Sequence, residues 1–180
     1  MGLDSVEILM SWEAAFGITI ADEEAFKLRN TRMAVDLIAS RVGAAERSPV
    51  ECLSLRTFNR LRVAFCEVGV SRASVSPSAK VRHLIICDSP SGTKRSIRQR
   101  MGVPTLPLAG GWTGAMFSPQ TIGDLAEWIV CNYPKAMFKP GEGWSRSQVR
   151  QVVRAVVVAH IGVPLDYSDD ADFVQELGVD

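Results

Sequence analysis

Apolar residues recur at intervals of three and four along most of this chain, which is the spacing of one buried helix face. A serine, Ser5, stands where the first helix should have its N-cap, and Gly17 stands where that helix should end. No stretch of useful length alternates apolar and polar residues as a half-buried strand does. The pattern therefore predicts an all-α protein. The apolar positions of the first helix, residues 5–16, are Ile8, Leu9, Trp12, Ala15 and Phe16.

The same periodicity predicts more helices along the chain. They are expected over residues 22–28, 31–43, 54–67, 91–101 and 145–160, and from Ser118 onward. Ser118-Pro119 has the form of a helix start, because proline is favoured in the first turn. Residues 44–53 and 134–143 are interpreted as linkers.

Charge divides the chain into acidic ends and a basic middle. Residues 1–43 carry seven acids and four bases, and residues 144–180 carry six acids and three bases. Residues 44–143 carry seven acids and thirteen bases. Either this is chance clustering in one domain, or the two ends form one acidic unit with a basic unit inserted between them.

Composition excludes several classes of protein. The apolar fraction of 47% is enough for a packed core, and no apolar run reaches the roughly 20 residues that a membrane-spanning helix needs. No secretion signal is visible, so a cytoplasmic location is expected. The four cysteines lack metal or redox spacing and the histidines do not join them, which favours free thiols over a disulfide framework or zinc site.

Both ends of the chain resemble the acyl carrier protein family. Gly2-Leu3-Asp4-Ser5, Phe16-Gly17-Ile18-Thr19-Ile20 and Asp22-Glu23-Glu24 resemble its second to fourth helices. The segment from Val149 to His160, followed by residues 173–180, resembles its first helix and the approach to its aspartate-serine turn. One departure is that the interval from Ser5 to Phe16 is about one helical turn shorter than is usual in the family.

The middle of the chain resembles the same family more weakly and in the ordinary order. Residues 57–70 are similar to the first carrier helix, and residues 117–125 to the start of the fourth. Asp88-Ser89 falls near the serine turn, but Pro90 follows it and the next helix is basic. The resemblance implies a circularly permuted carrier domain made of residues 1–43 and 144–180, and a degenerate carrier-like domain over residues 54–133.

The resemblance implies a non-catalytic carrier that holds an acyl group as a thioester on 4′-phosphopantetheine. Ser5 is the implied attachment residue, flanked by Asp4, with Ser89 a weaker candidate. A serine at a helix N-terminus is accessible, and the free N–H groups there tolerate a phosphodiester. The implied partners are a phosphopantetheinyl transferase and the enzymes that load and use the acyl group in fatty acid or secondary-metabolite synthesis. No metal site is expected.

Other interpretations remain open for each feature. Ser5 is equally suited to be a simple N-cap. The resemblance implies that Asp4, Glu7 and Glu13 form an acidic helix face for docking the transferase and partner enzymes, and the alternative is an ordinary solvated face.

The basic helix from Lys94 to Arg100, with Lys94, Arg95 and Arg98, could make the protein a basic-surface binder of an acidic partner, a phosphate-bearing ligand or, less favoured, nucleic acid. It could instead pack near the acidic carrier unit of its own chain, or be an ordinary solvated face.

The two segments of the carrier domain could pack together in either of two ways. Residues 144–180 could cover residues 1–43 within one chain, or between two chains in a swapped homodimer. An alternative of a different class is a helical interaction module whose Ser5 is never modified.

Overall fold

Helices make up all the regular secondary structure in the described part of the chain. The computed structural model describes residues 2–46, 52–85, 90–108, 119–164 and 166–179. Within these ranges there is no strand, and only two isolated backbone bridges pair extended residues. The prediction of an all-α fold is confirmed.

Eight α-helices and two short 3₁₀ turns are present in the described residues. The 3₁₀ turns are Arg72–Ser74 and Pro134–Met137. The helices are α1 (Leu3–Phe16), α2 (Asp22–Ala25), α3 (Thr31–Arg41), α4 (Leu53–Glu67), α5 (Val81–Leu84), α6 (Pro90–Met101), α7 (Ile122–Asn132) and α8 (Arg146–Ile161).

The chain divides into two compact units. The first unit joins Met1–Val50 to Phe138–Asp180, and the second unit is Glu51–Met137. Both crossings between the units fall inside the segments interpreted as linkers. The identity of either unit as a carrier-type domain stays a prediction.

The first unit is built on α8, which packs against both α1 and α3. Five of its six valines lie on one face because they are spaced three and four apart, and each of these is at most 1% exposed: Val149, Val152, Val153, Val156 and Val157. Trp12 and Phe16 of α1 are equally buried, and the Trp12 indole N–H donates to the carbonyl of Val153 over 3.4 Å. Each buried valine contributes on the order of 1.5 kcal/mol or more. Burial therefore outweighs the modest helix propensity of valine.

A buried arginine fastens the acidic loop that follows α8. The guanidinium of Arg154 lies 4.0 Å from the ring centroid of Tyr167, donates to the Tyr167 carbonyl over 2.9 Å, and pairs with Asp169. Arg150 pairs with the same carboxylate. The Tyr167 hydroxyl bonds Thr31 Oγ1 at 2.8 Å, so the loop is held against α3 as well as α8.

The second unit packs α4 against α6 and α7. Leu61 and Phe65 of α4, Ile97 of α6, and Leu125 and Ile129 of α7 are all fully buried. The named residues of α4 and of α7 are four positions apart, so the periodicity identified the buried faces of these two helices.

The start of α7 differs from the predicted one. Ser118 lies outside the described residues, and Pro119 precedes the helix rather than standing in its first turn. The N-cap is Thr121, whose hydroxyl accepts from the Asp124 N–H at 3.1 Å while Asp124 accepts from the Thr121 N–H at 2.9 Å. This reciprocal capping box satisfies two N–H groups at once, which a single serine cap would not.

The contacts of Asp169 generate a stability prediction. Burial raises the pKa of Asp169, but hydrogen bonds from Arg150 and Arg154 lower it more, so the net pKa lies below its ordinary 3.8. A depressed folded-state pKa stabilises the fold above the unfolded pKa, and this stability is lost as pH falls through the folded value. Asp169→Asn should lower the free energy of unfolding at pH 7 by about 1–3 kcal/mol. The difference in the free energy of unfolding between Asp169→Asn and wild type should become smaller below about pH 4.

Asp170→Asn is the matched control, because the ion pair between Asp170 and Arg32 is largely exposed. Exposed pairs contribute about 0–1 kcal/mol, so this variant should remain close to wild type. Urea unfolding at pH 7 and pH 3 measures both variants. If Asp169→Asn lowers the free energy of unfolding as much at pH 3 as at pH 7, the ionised Asp169 carboxylate is not the source of the stability.

Candidate functional site

The first helix begins earlier than the sequence pattern predicts, and this changes the position of Ser5. Gly2 is the N-cap, Leu3 is the first helical residue, and the Val6 N–H donates to the Gly2 carbonyl over 3.4 Å. Ser5 is therefore the third residue of α1, and the prediction that it is the N-cap is wrong. Glycine is nearly as good an N-cap as serine, so the helix can start there. Asp4 lies in the first turn, where the helix dipole favours an acid.

Ser5 lies beside an apolar cavity of about 470 Å³ in the first unit. Ile8 and Leu9 of α1 form one wall, and Leu28 of the segment after α2 forms another. Gly2 lines the same cavity. The half-buried Ser5 side chain is thus at the edge of a volume large enough for a small organic group.

The C-terminal turn closes the remaining side of this cavity. The Phe173 N–H donates to the Arg29 carbonyl at 2.8 Å, and the Val179 N–H donates to the Phe173 carbonyl at 2.8 Å. The rings of Trp12 and Phe173 are 6.1 Å apart between centroids. Gly2 and Val179 therefore line one cavity although they lie near opposite ends of the sequence.

The acids proposed as a docking face already have contacts within the chain. Glu7 Oε2 lies 3.6 Å from His160 Nδ1, and the other nitrogen of that ring is 2.9 Å from Ser11 Oγ. Glu13 Oε1 accepts a hydrogen bond from the Ile20 N–H at 2.7 Å. Glu13 therefore fixes the segment after α1. A docking role for these acids stays a prediction.

Sequence reasoning missed an exposed apolar stripe on α1. Leu3 is 71% exposed, Met10 is 62% exposed, and Val6 lies between them on the helix. Their spacing of three and four residues is a sequence signal for a second apolar face of α1. The buried face of the same helix has the same periodicity, so periodicity alone does not tell which face is exposed. A contiguous exposed apolar patch with a polar rim is typical of a surface that meets another protein.

The basic residues singled out on α6 lie together in the second unit. Lys94, Arg95 and Arg98 line one open groove, whereas Arg100 pairs with Glu67 at 3.3 Å. The weaker attachment candidate, Ser89, lies outside the described residues.

The other features considered in the described ranges are metal ligands, membrane-spanning helices and cysteine thiols. No cluster of three potential metal ligands is found among these residues, and none of their helices is long and apolar enough to cross a membrane. Cys52, Cys66 and Cys131 form no disulfide within the described ranges, and Cys87 lies outside the described residues. Burial, with a smaller effect of Glu127, raises the pKa of Cys131 to about 12, so its thiol stays protonated at neutral pH.

Comparison with known proteins identifies similarity over part of the chain. An acyl carrier protein of Thermosynechococcus vestitus (strain NIES-2133 / IAM M-273 / BP-1) is 48% identical over 42 residues, which are 23% of this chain and 52% of that protein. The chain thus spans about half the length of the curated relative it matches. No family model and no solved structure matches the chain. The similarity supports an acyl-carrier-like region within this chain.

The N-cap assignment can be tested by stability alone. If Gly2 is the N-cap of α1, Gly2→Ser should be more stable than Gly2→Ala by about 1 kcal/mol, because serine caps the helix and alanine cannot. Thermal and urea unfolding of the two variants measure the difference. Equal stability of the two variants would place the cap elsewhere.

Proposed function

We propose that the first unit is an acyl-carrier-type domain that holds an acyl group as a thioester on 4′-phosphopantetheine attached to Ser5. The observation that carries this proposal is the placement of Ser5 in the first turn of α1, at the edge of an apolar cavity. The similarity of part of the chain to an acyl carrier protein supports it. The domain itself is non-catalytic, and the thiol of the arm carries the acyl group.

The helix start gives Ser5 the electrostatic environment that a phosphodiester needs. The N–H groups of Leu3, Asp4 and Ser5 precede the first intrahelical bond, which Val6 donates to Gly2. Such N–H groups and the helix dipole stabilise a negative charge. A separate phosphopantetheinyl transferase would form the phosphodiester bond on the Ser5 hydroxyl, so Ser5 needs no base of its own.

The order of segments is part of the same proposal. In a carrier domain of the ordinary order, the helix equivalent to α8 precedes the serine turn; here α8 follows it in the sequence and packs against α1 and α3. We therefore propose a circularly permuted carrier domain. The second unit is a degenerate carrier-like domain that contributes to partner choice. The partners are enzymes that load and use acyl groups in lipid or secondary-metabolite synthesis in the cytoplasm.

A second candidate function is favoured by one specific observation. The N-cap of α1 is Gly2, one helical turn before Ser5. The interval from Ser5 to Phe16 is also about one turn shorter than in the family. The residue at the family's usual interval from Phe16 is thus Gly2, which has no hydroxyl to modify. On this basis the first unit would be an unmodified helical interaction module that uses the exposed face of α1.

Intact mass after co-expression with a phosphopantetheinyl transferase separates the two functions. Attachment at Ser5 predicts a gain of roughly 340 Da for the arm on a helix-terminal serine, and no gain in Ser5→Ala. The helix starts before residue 5, so this substitution should leave the fold intact. Circular dichroism checks this.

Gly2→Ser in the Ser5→Ala background is the complementary variant. A mass gain in this double variant, with none in wild type, would show a carrier fold that has lost its attachment residue. The first unit would then be the unmodified interaction module. No gain in any variant would reject the carrier proposal altogether.

A further inference from the structure

A serine, a histidine and a glutamate meet on the surface of the first unit, and we call them the Ser11 cluster. Ser11 Oγ lies 2.9 Å from Nε2 of His160, and Nδ1 of the same ring lies 3.6 Å from Glu7 Oε2. Glu7 and Ser11 are four residues apart on α1, so their side chains lie on one face of that helix. The order of nucleophile, base and acid is the one that activates serine hydroxyls in enzymes of unrelated folds. The function proposed above does not use this cluster.

The packing of α8 against α1 holds the histidine in place. The Trp12 indole N–H donates to the Val153 carbonyl over 3.4 Å, which fixes how the two helices lie along each other. Gly162, with a φ of 75°, ends α8, and its N–H donates to the Val158 carbonyl at 2.9 Å. His160 therefore lies in the last turn of a packed helix and not in a solvated tail.

The contacts of the imidazole ring assign its two nitrogens. An ionised carboxylate only accepts hydrogen bonds, so the nitrogen that faces Glu7 is the one that carries the proton in the neutral ring. In that tautomer Nε2 has a lone pair and accepts the hydrogen bond of the Ser11 hydroxyl. When Nε2 takes the hydroxyl proton, the nearby carboxylate and the C-terminal end of the α8 dipole both stabilise the charge that forms on the ring.

The Ser11 cluster is open to a reagent from solvent. Ser11 is half-buried, and the side chains of His160 and Glu7 are 27% and 51% exposed. Met10, next to Ser11, is 62% exposed, and Ala14, one turn further along α1, is exposed as well. These two side chains offer an apolar surface for the alkyl part of a group attached to the serine.

We propose that Ser11 is an acylation site that takes an acyl group from an acyl thioester. Ser11 Oγ attacks the carbonyl carbon while His160 Nε2 removes the hydroxyl proton. The bond between the carbonyl carbon and sulfur breaks, and His160 passes the proton to the departing thiolate. The products are an oxygen ester on Ser11 and a free thiol, and nothing is oxidised or reduced.

The surroundings of Ser11 select an activated acyl donor. The Ser11 N–H lies inside α1, where a backbone N–H bonds the carbonyl four residues earlier, so it does not serve as an oxyanion donor. The cluster supplies a base without this second form of catalysis, and the donor must therefore have a good leaving group. A phosphoryl donor is disfavoured, because the Glu7 carboxylate repels its negative charge. The reaction is a single transfer onto the protein and not catalytic turnover.

Peptide mapping by mass spectrometry tests the proposal on the full chain, with S-phenyl thioacetate as the acyl donor. Ser11 should gain one acetyl group, which alkaline hydroxylamine removes because it is an ester and not a lysine amide. Ser40, an exposed serine of α3, is the reference within the same protein. Its acetylation should be slower by about a hundredfold, since a positioned general base contributes about 10²–10⁴-fold.

Variants of the two neighbours of Ser11 separate activation from simple exposure. His160→Gln should slow the acetylation of Ser11 by about a hundredfold. His83→Gln is the matched control and should leave the rate unchanged, because His83 contacts Arg82 in the second unit. Glu7 acts through the ring as a positioning residue, so Glu7→Gln should slow Ser11 by several-fold while the rate at Ser40 stays constant.

Two results would overturn the acylation site. One is equal acetylation of Ser11 and Ser40 in wild type, a comparison that does not depend on the folding of any variant. The other is an unchanged rate at Ser11 in His160→Gln whose circular dichroism matches wild type. Either result would leave the contact between Ser11 and His160 as a structural link between α1 and α8. The assay uses protein without a phosphopantetheine arm, so its outcome is independent of whether Ser5 is modified.

Discussion

The first unit depends on one interaction, the cover that α8 provides for the apolar faces of α1 and α3. A helix such as α1 is not stable alone in water, because its stability comes from burying one face. Trp12 and Phe16 are 1% exposed, α1 packs against α8, and the Trp12 indole N–H bonds the Val153 carbonyl of α8. The two helices are separated by more than a hundred residues of sequence, so the unit requires a long-range contact that no local segment replaces.

The loop after α8 links the packing of α8 to the cavity beside Ser5. Arg154 holds Tyr167 and Asp169, and Tyr167 in turn bonds Thr31 at the start of α3. The chain that leaves this loop reaches Phe173, which is fixed to the Arg29 carbonyl and faces Trp12. The cavity beside Ser5 is thus closed by a segment whose position depends on the loop, and loss of the loop contacts would open that cavity.

Charge distinguishes the two units. The first unit places acids and exposed apolar side chains along α1. The second unit places Lys94, Arg95 and Arg98 together on α6. The net charge of zero for the whole chain conceals this contrast, because the excess of acids in one part equals the excess of bases in the other.

Much of the helical fold could be predicted from the sequence, because amphipathic periodicity reports buried faces directly. The start of α8 at Ser145 and its end at Gly162 were predictable for the same reason. The start of α1 was not, since glycine is a weak cap signal and Ser5 offered a stronger one. The start of α7 was missed although its capping box, Thr121 with Asp124, is visible in the sequence.

The cavity and the exposed stripe needed the structure. The cavity is formed by residues of α1 and of the C-terminal turn, whose meeting depends on tertiary packing and not on periodicity. The contacts of Glu7 and Glu13 likewise arise from His160 and Ile20, which no pattern of charges along α1 reveals.

The central claim is that α8 covers α1 within one chain. Nuclear Overhauser effects between the Trp12 indole and the Val153 methyl groups measure this contact directly. The account predicts that they are present in uniformly labelled protein and absent from an isotope-filtered spectrum of mixed labelled and unlabelled chains. Their absence from the first spectrum would contradict the packing, and their appearance in the filtered spectrum would establish a swapped dimer instead.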